Sequence, residues 1–80
     1  MKLSFAKEIK NNKSYYFITL NNRGLPDEKV SDLFHITLEE YEEILIATGG
    51  YSEDERGYIF SSIEDIENAL TTLKILLDEP

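Results

Sequence analysis

The chain has no cysteine, a single histidine, and no apolar run long enough to span a bilayer. Without cysteine, disulfides, thiol nucleophiles and thiolate-held zinc are all excluded, which is compatible with a reducing compartment. The opening "MKLSFAKEIKNNK" lacks the continuous apolar core of a secretory leader. The expectation is a cytoplasmic protein with no membrane contact. Basic side chains are also scarce beyond residue 29, where only Arg56 and Lys74 face thirteen carboxylates.

What is present suffices for one small core. Eighty residues, 41% of them hydrophobic, define a single domain over 1–80. The formal charge is -8 and it is unevenly spread. Residues 1–29 carry six basic and three acidic side chains, so the acidity resides entirely in the remainder. A field of that sign repels nucleic acid and attracts basic protein surfaces. It also serves solubility alone.

The first half reads as strand. In "KLSFAKEI", Leu3, Phe5 and Ile9 share a face, with Lys7 as the exception. "NNK" at 11–13 signals a turn, and "SYYFITL" at 14–20 is rich in aromatic and β-branched residues. The pair predicts an antiparallel hairpin with Tyr16, Ile18 and Leu20 on the core side. "NNRGLPDEK" at 21–29 is turn chemistry, and "VSDLFHI" at 30–36 fits neither a helical nor a strand period cleanly. A short strand or an irregular packed segment is expected there.

The second half carries one helix opening twice. "TLEEYEEIL" begins at Thr37 and "SIEDIENAL" at Ser62. Each offers a hydroxyl cap, an acid three residues on, and apolar residues at helical spacing. Thr37 with Glu40 makes a capping box, whereas Asp65 replaces the usual Glu or Gln after Ser62 and weakens the second. The rules for starting an amphipathic helix explain the likeness without a duplication. "GG" at 49–50 ends the first helix, "YSEDERG" at 51–57 is a polar connection, and "YIF" at 58–60 is a short strand candidate. The second helix spans roughly 63–78, with a stripe of Ile63, Ile66, Leu70, Leu73 and Leu77 flanked by Ala69 and Leu76. The predicted class is α+β: an N-terminal antiparallel hairpin extended by one or two short strands and packed on two amphipathic helices, in the order ββ(β)αβα.

No catalytic motif emerges. His35 and Asp32 lack a recognised metal-ligand spacing, the glycines form no phosphate loop, and the serines have no persuasive histidine partner. A metal-dependent hydrolase using Asp32, His35 and neighbouring acids is a remote alternative, and no cofactor is expected. The lysines and aromatics of the hairpin resemble an RNA-stacking surface, but the downstream acidity argues against direct nucleic-acid binding.

The leading expectation is a non-enzymatic acidic interaction module, an inhibitor or regulator that occupies a basic surface of a partner such as a nucleic-acid-binding protein. Glu39, Glu42, Glu43, Glu64 and Glu67 would supply the charge, and Ile75, away from its helix stripe, an apolar contact. Ile46 is a second off-stripe isoleucine. "EDE" at 53–55 adds three acids. Tyr41 is assigned to the core. The runner-up is a structural or assembly module, a homodimer for example, held by apolar contacts.

Overall fold

The computed structural model describes residues 2–52 and 57–77. The 53–55 acids and the end of the last helix at 78 lie outside them. The fold is α+β, an N-terminal antiparallel sheet followed by helices. Strands β1 (Leu3–Lys10), β2 (Lys13–Leu20) and β3 (Arg23–Gly24) form a meander with β2 in the centre.

Both meander turns are Asn-Asn pairs with positive φ: 53° and 64° at Asn11 and Asn12, 54° and 67° at Asn21 and Asn22. Two-residue hairpin loops of the favoured hand need left-handed backbone at both positions, and asparagine tolerates it better than other side-chain-bearing residues. The first turn sets the register Lys10↔Lys13 through Leu3↔Leu20. The second folds Arg23 and Gly24 onto Leu20 and Thr19.

Helix α1 (Asp27–Phe34) follows, where the sequence pattern suggested a strand or irregular chain. Pro26 precedes it in extended conformation, and Asp27 and Glu28 occupy its positive end. His35, at φ 60°, closes it by donating its backbone N–H to Ser31. Val30 and Phe34 are buried. Helix α2 (Leu38–Ala47) has the full capping box: Glu40 N–H donates to Thr37 Oγ1 and Thr37 N–H to Glu40 Oε1, each at 3.0 Å.

Strands β4 (Tyr51–Ser52) and β5 (Tyr58–Ile59) pair antiparallel, and β4 was not anticipated. Helix α3 (Ile63–Leu77) starts at Ser62, whose Oγ accepts from Asp65 N–H at 3.3 Å, longer than at Thr37.

The core joins one sheet face to the helices. Leu3, Tyr16 and Ile18 meet Val30, Phe34, Tyr41, Leu45, Phe60, Ile66, Ala69, Leu70 and Leu73. Phe5 packs edge-on against Tyr16, with ring centroids 5.9 Å apart. Phe60 is fully enclosed and is also tied to the sheet by its backbone. Tyr16 N–H donates to Phe60 O, and Phe60 N–H to Tyr16 O, both at 2.8 Å. Three members of the expected apolar stripes lie outside the core, among them Leu38, exposed in the first turn of α2. Ile9 is 68% exposed, since it pairs with Ser14 beyond the Tyr16–Phe60 bridge, and Ile63 in the first turn of α3 is exposed too.

Candidate interaction surface

Helix α2 buries Tyr41 and Leu45, and its opposite side carries Glu39, Glu42, Glu43 and Ile46. These stand at i, i+3, i+4 and i+7, so they form one continuous stripe. Glu39 and Glu43 are exposed, Glu42 is half-buried on the flank, and Ile46 is 56% exposed at the end. No Lys or Arg occurs on this helix. Among the described residues no salt bridge reaches the three carboxylates. The like charges at Glu39/Glu43 and Glu39/Glu42 each cost a few tenths of a kcal/mol, about the worth of one helix ion pair.

Helix α3 repeats the arrangement more weakly. Glu64 and Glu67 are exposed, and Ile75 is 63% exposed two to three turns further on. Glu67 borders a groove with Ser4, Phe5, Leu70, Thr71 and Lys74, beside the outer strand β1. Glu42 borders a cleft with Phe17, Ile18 and Gly24, beside β3. Those strands are opposite edges of the sheet. Of the five glutamates singled out in the sequence, Glu42 and Glu67 thus border different grooves, and Lys74 stands in that of Glu67.

The cleft beside β3 was not legible in the sequence. It encloses about 220 Å³ between the β2–β3 edge, the start of α1, α2 and the ends of β4 and β5. Asp27 reaches it from the first turn of α1, Tyr41 and Glu42 from successive positions of α2. Tyr41 is only 7% exposed and stacks on Phe34, with ring centroids 5.8 Å apart, as its assignment to the core requires. Burial, and secondarily the Asp27 carboxylate, hold its phenol protonated well above the usual tyrosine range.

His35 is exposed at the end of α1, and no group of three or more potential metal ligands occurs among the described residues. No protein-family model, curated protein or solved structure matches the chain.

Proposed function

We propose that this chain is a non-enzymatic interaction module that docks on a basic surface of a partner protein through α2, and that it acts as an inhibitor or regulator by occupying that surface. The observation that carries this reading is the stripe of Glu39, Glu42 and Glu43, unrelieved by any basic residue on its helix and ending on the exposed Ile46. A basic partner removes the repulsion between the carboxylates, and the isoleucine adds apolar contact at the edge of the charge. Glu64, Glu67 and Ile75 belong to a separate helix and are not required for this contact.

The test is affinity capture from the source cells with the full chain and its E39K/E43K variant, followed by measurement on the purified partner. The captured protein carries a basic surface, the double reversal weakens binding at least tenfold, and raising the salt from 0.1 to 1 M shortens the screening length from about 10 to about 3 Å and releases it. Binding that ignores both the reversal and the salt would refute the reading.

A second reading has its own support. The outer edge of β1 pairs with no other strand among the described residues, and Ile9 is exposed on that strand. Such an edge is a template for another copy of the chain, although Lys7 at its middle opposes close pairing. Sedimentation velocity over a hundredfold range of concentration distinguishes this case, because an assembly module shifts to dimer while the leading reading leaves a monomer.

A further inference from the structure

The cleft beside β3 combines two features that the α2 stripe lacks: an apolar interior and acceptors drawn from two helices. Phe17, Leu25, Leu45 and Tyr58 supply the apolar lining, while Asp27, Tyr41 and Glu42 supply oxygens from two different helices. The Tyr41 side chain is more than nine-tenths buried, yet among the described residues its hydroxyl has no hydrogen-bond partner. A phenol in such a place normally finds one. No buried side-chain oxygen lacks a partner among the described residues, so this hydroxyl is open to the cleft that Asp27 and Glu42 also line.

We propose that this cleft is a socket for one arginine side chain of the partner protein. The inference rests on the reading that the chain binds a basic protein surface, and it names where a single residue of that surface anchors. The three methylenes of arginine match the apolar lining, as long basic side chains lay their stems on apolar surface while the charged head stays near polar groups. The head must then satisfy acceptors that diverge from Asp27, Tyr41 and Glu42. A guanidinium presents five donors in a rigid plane and bridges separated acceptors, whereas an ammonium is a compact point charge with strong hydration to lose. The phenol keeps its proton, so its oxygen accepts from the guanidinium and the socket's charge comes from the two carboxylates alone.

The experiment uses the isotope-labelled full chain and three probes: acetyl-Gly-Arg-Gly-amide, its lysine counterpart and its citrulline counterpart, which keeps the arginine shape without the charge. The arginine peptide shifts the amide resonances of Gly24, Leu25, Gly57 and Tyr58 saturably with a dissociation constant of about millimolar, as expected for one side chain. D27N weakens it at least fivefold and Y41F about threefold, while E39K/E43K leaves it within twofold. Asp27 also sits in the first turn of α1, where the helix dipole favours its charge, so a second variant guards against misfolding. A Cβ built at Gly24 meets no atom within 4 Å, so G24L fits at the lip of the cleft and abolishes the shifts without disturbing the core. Equal binding of the citrulline peptide, equal binding of the lysine peptide, or shifts confined to the Glu39–Glu43 side would each overturn the socket. Loss of partner binding in E39K/E43K but not in D27N or G24L overturns the socket while leaving the docking role of α2 intact.

Discussion

Phe60 joins the sheet to the helices through both its ring and its backbone. Its ring is fully enclosed, its backbone makes a reciprocal pair of bonds with Tyr16, and its edge limits what Gly50 can become. A Cβ at Gly50 would stand 2.9 Å from Phe60 Cζ and 2.9 Å from Leu45 O, so the chain leaving α2 closes tightly on this one ring. Removing the ring leaves a cavity at the junction of the sheet and both helices. F60A is expected to lower the unfolding free energy by about 3–5 kcal/mol, and F60L by much less, as measured by urea titration. A small domain has only about 5–15 kcal/mol in total, so F60A loses a large share of its stability. A cost under about 1 kcal/mol would mean that the ring is not the keystone its burial indicates.

At the scale of the element, the clearest dependence on chemistry is the N-terminus of α2. The backbone N–H of Thr37 first, and its hydroxyl second, hold the Glu40 carboxyl below the usual carboxylate range. A carboxyl depressed in the folded state stabilises above its unfolded pKa, and the contribution disappears as pH falls through the depressed folded value. T37A is expected to cost about 1 kcal/mol at neutral pH. E40Q should remove the part of the acid-limb pH dependence that comes from this carboxyl, and denaturant titrations between neutrality and pH 3 read both effects. An E40Q profile that parallels the parent would exclude a role for the Glu40 charge. This cap was legible in the sequence because its logic is local: a hydroxyl, an acid three residues on, and a helical apolar pattern.

Helix α1 was not legible, although its signals were there. Pro26 followed by Asp27 and Glu28 is a helix start, and Val30, Leu33 and Phe34 have helical spacing. Ile36 obscured the period because it lies beyond His35, where the chain turns through left-handed backbone and restarts its phase. The acidic stripe of α2 could be read from spacing alone. The cleft could not, because Asp27 and Glu42 are brought together only by the packing of α1 on α2 and the second turn of the meander. For the same reason the sequence grouped Glu67 with Glu42, which the sheet separates.

The whole molecule is twice as long as it is wide, 42 by 21 by 21 Å. The β1–β2 hairpin extends past the helical layer, with Ile9, Lys10, Asn11, Asn12 and Lys13 all exposed at its end. Basic groups at that end and carboxylates on the helices give the chain opposed electrical poles. Stability should follow the same axis. Amide exchange at Asn12 and Lys13 is expected to be fast, whereas the Tyr16 and Phe60 amides exchange only through global unfolding. Equal protection at both places would show that the hairpin end is held by something other than its own strands.

The Tyr16–Phe60 bridge also orders events during synthesis. The meander closes through turns of two residues, so it can assemble while later codons are still being read, but its central strand keeps Tyr16 unmatched until residue 60 has left the ribosomal tunnel. A nascent chain stalled before that point leaves the apolar face of the sheet uncovered, and the face is closed only when α3 follows with Ile66, Ala69, Leu70 and Leu73.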